Sequence, residues 1–134
     1  CLGKGGGNFI ESMLKLAKEK LILRVVDDQI VGPTYTLDLA SKIDQLIRTK
    51  HYGLYHITNK GQCSWYEFAK KIFELTGTNI KLEKATTSEF KAKAKRPAYS
   101  VLAHDNLKKI RLDDMRSWEE ALEAYLKEKK QLTP

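Results

Sequence analysis

The stretch LILRVVDDQIVGPTYTLDLA, Leu21 to Ala40, decides the fold class. It opens with a short β-branched run, Leu21 to Val26, that reads as a buried strand. The run stops at Asp27-Asp28-Gln29 and at the turn pair Gly32-Pro33. Thr36 is then expected to cap a helix carrying Leu37, Ala40, Ile43, Leu46 and Ile47 on one side. A strand that turns into an amphipathic helix is the repeating unit of α/β folds, in which helices connect parallel strands.

The same grammar extends in both directions. Upstream, Asn8 with Glu11 three residues on has the spacing of a capping box. Behind it Phe9, Ile10, Met13, Leu14 and Ala17 recur at helical spacing, giving a helix over Phe9 to Lys20. Downstream, Leu54 to Thr58 reads as a second strand, broken by Asn59-Lys60-Gly61. Ser64 with Glu67 caps a third helix whose apolar face is Trp65, Phe68, Ala69, Ile72 and Phe73, and Gly77 stops it. Ile80 to Glu83 reads as a third, more exposed strand. Ser117 with Glu120 starts a last helix with Trp118, Ala121, Leu122, Tyr125 and Leu126 inward. Residues 88–117 are the least regular part and hold the Lys-rich run that ends at Arg96-Pro97.

The 134 residues suffice for one domain with a real core, and 42% apolar with 31% charged residues is ordinary globular composition. No apolar run approaches the roughly 20 residues that span a bilayer, and no signal peptide is visible. A chain without its initiator Met is read as starting at a cut end. Cys1 and Cys63 form no C-x-x-C pair and read as reduced thiols; His51, His56 and His104 lack metal-ligand spacing. We therefore expect no metal site. The net charge of +7 favours an anionic partner. The basic residues are mostly Lys interspersed with Glu, a solvated helix surface, so nucleic acid is not the expected partner.

Few constellations carry chemistry by themselves. The Gly-rich start, Gly3 to Asn8, follows no strand, has Asn8 where a dinucleotide fingerprint has its third glycine, and lacks G-K-[ST]. It reads as a surface loop, or as amides that meet an anion at a helix start. Tyr-x-x-x-Lys occurs at Tyr66–Lys70 and Tyr125–Lys129, but each copy lies on an amphipathic helix with no cofactor cradle; both are decoys. Asp27-Asp28-Gln29 lies where α/β sheets gather ligands, or is a turn whose carboxylates cap amides. Arg96, held extended by Pro97, could fork onto a phosphate or pair with a surface acid. Trp65 and Trp118 read as core.

Five stretches, in order, resemble the dTDP-4-dehydrorhamnose reductases of the extended short-chain dehydrogenase group. They are GKGGGNFIESMLKLAKE, LRVVDDQIVGPTYTLDLA, GLYHITNKGQCSWYEFAKKIF, KRPAYSVL and WEEALEAYL. The resemblance implies a Rossmann-type α/β enzyme in two parts. A cofactor-binding portion, absent from this chain, would hold NADPH, the active-site Thr or Ser and the catalytic Tyr-x-x-x-Lys. Residues 1–134 would be the C-terminal, substrate-binding portion. It implies no catalytic residue here and substrate-side roles for Asn8, Phe9, Gln29, Pro33, Thr34 and Arg96. The family departs from this sequence at Gly7, usually Asn, and at Val31-Gly32, usually Gly-Ser. The implied reaction is hydride delivery to C4 of dTDP-4-dehydro-L-rhamnose, in the cytoplasm, for cell-surface polysaccharide.

The isolated chain is expected to be inactive, and along the first helix and Leu21 either to self-associate through surface its missing portion would cover or to rearrange that edge. Two other readings are a non-catalytic module similar to the methionine adenosyltransferase regulatory subunit, and part of a nucleotide-sugar epimerase or dehydratase.

Overall fold

In a computed structural model, which describes residues 3, 7–90 and 94–130, the chain is α/β. Most of the Gly-rich start and of the Lys-rich run therefore lies outside the described residues. The first helix, α1 (Phe9–Glu19), begins where Asn8 accepts the Glu11 amide at 3.2 Å. The reciprocal half of that capping box is not made, because the Glu11 carboxylate turns to the hydroxyl of Tyr125. Strand β1 (Ile22–Val26) follows, then a short β2 (Ile30–Val31) and α2 (Thr36–Ile47). β3 (Cys63–Ser64) leads into α3 (Trp65–Thr76), and β4 (Lys81–Ala85) is followed by a 3-10 turn, Thr87–Glu89. α4 (Asp105–Lys109) and α5 (Trp118–Glu128) complete the fold.

β1 and β4 pair in parallel with Ile22 opposite Lys81 and Val26 opposite Ala85, so the strands at the two ends of the crossover are neighbours. β2 and β3 form a separate antiparallel pair. α3 backs both β1 and β4 and is flanked by α1 and α5. The core lies at this junction: Ile10, Phe68, Ala69, Ile72, Leu122, Tyr125 and Leu126 are almost completely buried. Each such large apolar side chain contributes about 1.5–3 kcal/mol. Complete capping boxes open α3 and α5, through Ser64 with Glu67 and Ser117 with Glu120. Gly77 ends α3 in the left-handed conformation at φ 63°. Gly61 is required by contact: a Cβ there would meet Trp118 Cδ1 at 3.0 Å.

Four expectations need correction. Thr36 does not cap α2; it is the first helical residue, and Tyr35 holds the cap position without a side-chain capping bond, its hydroxyl donating instead to Glu128. Residues 54–58 join no β-ladder, because no strand lies beside them among the described residues. The apolar side of α2 faces outward, with Leu37, Ile43 and Ile47 exposed and Lys42 buried. α1, expected to lose its neighbours, packs on α3 and β1, whereas Leu21 does stand almost fully exposed.

Candidate functional site

The site grows from the C-terminal end of β1. Alternation along the strand sends Leu23 and Val25 into the core and leaves Arg24 exposed and Val26 half-buried. Just beyond, Asp27 accepts from Ser64 Oγ at 2.6 Å and pairs with Lys84 at 2.8 Å, and these contacts hold its carboxyl below the usual carboxylate range. Asp28 accepts from the Thr87 hydroxyl and amide at 2.6 and 2.9 Å, which lowers it likewise. The two carboxylates thus fasten a turn onto α3, β4 and the 3-10 turn. Gln29 reaches the same anchor, donating Nε2 to Thr87 Oγ1 at 2.9 Å.

Around that turn lies an open cavity of about 670 Å³. Phe9 and Met13 of α1, Trp65 of α3, Phe90 and Pro97 supply apolar and aromatic surface. Phe9 is itself fixed by Trp65 at 4.7 Å and Phe68 at 5.6 Å between ring centroids. Among the described residues the polar lining is Gln29, Ser100, Arg24 and Arg96, with no carboxylate. Arg24 pairs with Glu89 at 2.5 Å, and Glu89 is oriented by the Thr86 amide at 2.9 Å. Arg96 has no hydrogen bond or ion pair among the described residues. An aromatic-rich cavity whose formal charges are two guanidiniums suits a ligand with a flat apolar part and an anionic part.

Of the residues singled out from sequence, Phe9, Gln29 and Arg96 meet in this cavity; the other three lie outside it. Asn8 caps α1 and donates Nδ2 to Gly3 O at 3.1 Å and Tyr125 OH at 2.9 Å. Pro33 and Thr34 are buried, Thr34 donating to Gly32 O at 3.2 Å. Arg24, Trp65 and Phe90 were not singled out for this site. Alternation along β1 could have flagged Arg24, since it is the one charged residue of a buried-type strand. From sequence Trp65 reads as core, and Phe90 lies in the irregular stretch. The two Tyr-x-x-x-Lys pairs form no common site: Tyr125 is fully buried, while Tyr66 sits under Lys84 at 5.1 Å.

Residues 1–131 match the family model described as the RmlD substrate binding domain. The chain belongs to this family. A Bacillus subtilis relative, the spore coat polysaccharide biosynthesis protein SpsK, is 49% identical over 127 residues, 95% of this chain and 44% of its own length. The dTDP-4-dehydrorhamnose reductase of Aggregatibacter actinomycetemcomitans is 39% identical, covering 90% and 45%. The crystal structure of the Bacillus anthracis dTDP-4-dehydrorhamnose reductase in complex with NADP superposes with a TM-score of 0.90 at 46% identity, over 94% of this chain and 45% of that one. The RmlD-type chain thus spans less than half the length of these relatives and shares the α/β fold of Rossmann-type extended short-chain dehydrogenases.

The residues described here do not fit a nicotinamide dinucleotide. The strand end where a glycine-rich phosphate turn would stand carries Asp27 and Asp28, both held in their charged form. Paired carboxylates oppose a pyrophosphate, and no step through the cofactor is assigned to this chain.

Proposed function

We propose that this RmlD-type chain is the substrate-binding portion, residues 1–134, of an NADPH-dependent reductase acting on dTDP-4-dehydro-L-rhamnose. The observation that carries the reading is the carboxylate-free cavity of Phe9, Trp65, Phe90, Arg24, Gln29 and Arg96. Phe9, Trp65 and Phe90 offer stacking surface for a pyrimidine. Arg96 supplies charge for a diphosphate, which Arg binds as a planar fork, with Arg24 beside it paired to Glu89. Gln29, tied to Thr87, offers a fixed amide for a hydroxyl or carbonyl of the ligand. Family membership and the reductase names of the relatives point to the same class.

NADPH, when bound, supplies the hydride; the residues that hold it and the catalytic Tyr-x-x-x-Lys belong to a cofactor-binding portion outside these 134 residues. This chain's part is to bind and orient the nucleotide sugar. Product dTDP-L-rhamnose would feed cell-surface polysaccharide, in keeping with the name of the Bacillus subtilis relative. A cytoplasmic site of action is part of the proposal, since both reactants are multiply charged and are costly to move through a bilayer. No helix among the described residues is long and apolar enough to cross a membrane.

Two measurements on the purified chain test this. Calorimetric titration with dTDP is expected to show binding, and NADPH with the keto-sugar is expected to show no turnover. Absence of any dTDP binding would remove the substrate-side assignment. Oxidation of NADPH by the chain alone would remove the two-portion arrangement.

A further inference from the structure

Arg24 stands between two cavities. It lines the cavity described above, and it also lines a second one of about 450 Å³ on whose wall Glu89 lies. Glu89 takes no part in the first cavity, so its carboxylate draws the guanidinium from the far side. The contact runs through one nitrogen, Nη2, which meets Glu89 Oε2 at 2.5 Å and leans on Lys84 O at 3.5 Å.

Glu89 does not depend on Arg24 for its place. Its Oε1 accepts from the Thr86 amide at 2.9 Å and the Thr86 hydroxyl at 3.0 Å, closing a capping box over the 3-10 turn. That turn is fastened in its own right, since Thr87 bonds to Asp28 and Gln29. The bonds from Thr86, with Arg24 adding to them, hold the Glu89 carboxyl below its ordinary value, so it is charged at neutral pH. Oε2 is therefore a fixed acceptor, and Arg24, half exposed on a long stem, is the partner that can move. An ion pair as open to water as this one is weak enough to be exchanged for another anion.

We propose that Glu89 is a specificity-determining residue, a fixed carboxylate that competes with the second phosphate of the ligand for Arg24. This rests on the substrate reading above. A nucleotide whose base lies between Phe9 and Trp65 gives one phosphate to Arg96, which has no competitor among the described residues. A second phosphate that turns to Arg24 draws it off Glu89, so one anion replaces another and little is gained. Glu89 thereby narrows the difference in affinity between a nucleoside monophosphate and a diphosphate. The consequence suits a reductase of nucleotide sugars, whose substrate and product carry the same diphosphate. Tight binding of that shared part would hold both equally and do nothing for the chemical step.

The test is calorimetric titration of the chain, Glu89→Gln, Arg24→Gln and the double variant with dTDP, thymidine 5′-monophosphate and thymidine. Gln at position 89 keeps an acceptor for the Thr86 amide, so the turn is retained. Glu89→Asp, one methylene shorter, also keeps a cap and is expected to show part of the same gain. The parent is expected to bind dTDP no more than about threefold tighter than the monophosphate, since the Arg24 charge is largely cancelled. In Glu89→Gln, dTDP is expected to tighten about fivefold, the scale of a half-exposed ion pair, while the monophosphate and thymidine stay within about twofold. The gain is expected to vanish in the double variant, where Arg24 is gone. Weaker dTDP binding by Glu89→Gln would make Glu89 an aligner of Arg24 and overturn the proposal. An equal gain for the monophosphate, or a gain that survives in the double variant, would overturn it too, because the carboxylate would then act through its charge alone. A parent that binds dTDP with an affinity that Glu89→Gln leaves unchanged sinks the competition and keeps the substrate reading. A parent that binds no dTDP sinks both.

Discussion

Asn8 and Tyr125, 117 positions apart, share a hydrogen bond of 2.9 Å from Nδ2 to the phenolic oxygen, and the same phenol donates to Glu11 at 2.7 Å. The start of α1 is thereby pinned to the middle of α5. Tyr125 is completely buried and also meets the Tyr35 ring edge-on at 5.9 Å. Tyr125→Phe keeps the packing and removes both hydrogen bonds, leaving Asn8 with its cap and its bond to Gly3. The expected loss is about 1–2 kcal/mol in chemical denaturation. An unchanged midpoint would show that the phenol packs without holding α1.

The same phenol gives an alkaline limit. Burial, with Glu11 adding to it, pushes Tyr125 up to about 12 from an ordinary 10. Its folded-state value lies above the unfolded one, so its contribution is intact below pH 10 and is lost as pH rises from 10 towards 12. Tyr35, buried and facing Glu128, is also pushed up to about 12. Unfolding followed by phenolate absorbance is expected to fall off steeply in that window, and less steeply in the Tyr125→Phe variant. Parallel pH profiles would count against the assignment.

At acid pH the relevant pair is Asp38 with Arg116. Burial raises the Asp38 carboxyl, but bonds from Arg116 at 2.6 and 2.8 Å and from Asn59 at 2.8 Å win, so it lies below its ordinary 3.8. Asn59 in turn accepts the Tyr35 amide at 2.8 Å, which ties the start of α2 to the segment before α5. A depressed value means the contribution is present above the unfolded pKa and disappears as pH falls below it. Asp38→Asn is expected to cost about 2 kcal/mol at pH 7, the scale of a partly buried charge-assisted pair. The gap between variant and parent should narrow as pH falls below the ordinary 3.8 and on through the lowered folded-state value. A gap that does not narrow in acid would sink the pair's role.

How far the sequence could be read depended on whether a residue's environment lies within the chain. α1, α3 and α5 were legible because their apolar stripes meet one another at Ile10, Phe68 and Leu122, and their caps are local. α2 and residues 54–58 carry equally good signals that no ladder or core among the described residues uses. Periodicity reports which face of a helix is apolar and not whether a neighbour covers it. In the site, Phe9, Gln29 and Arg96 were accessible through family likeness, and Asp27–Ser64 needed the long-range pairing of β2 with β3 to come together. Phe90 lay in a stretch without periodicity, where the sequence offers no placement at all.

Lys42 leads to a prediction opposite to that for an exposed helix position. Its ammonium is sealed beneath α2, while its partner Asp114 is mostly exposed, and the pairing holds Asp114 below its ordinary value. Asp114→Asn leaves a buried cation with Gln45 alone. After discounting for the solvent around Asp114, about 1–2 kcal/mol of stability should be lost. Lys42→Met, which removes the charge and keeps the stem's volume, is expected to cost less than Asp114→Asn. The reverse order would mean that the ion pair, and not the desolvated lysine, sets the energy.

The two arginines of the cavity should differ in what they contribute to an anionic ligand. Arg24 is already neutralised by Glu89 at 2.5 Å, and its Nη2 also leans on Lys84 O at 3.5 Å. Among the described residues Arg96 has no such partner, so its charge is available, and Pro97 restricts its backbone before binding. Arg96→Gln is therefore expected to weaken dTDP binding about tenfold or more, the scale of a charge-assisted hydrogen bond. Arg24→Gln should weaken it no more than about threefold, since it removes a charge that the protein had largely cancelled. Titration with thymidine in parallel is expected to show neither effect. If Arg24→Gln proved the more damaging, Glu89 would be orienting Arg24 for the ligand and not competing with it, and the roles of the two guanidiniums would be exchanged.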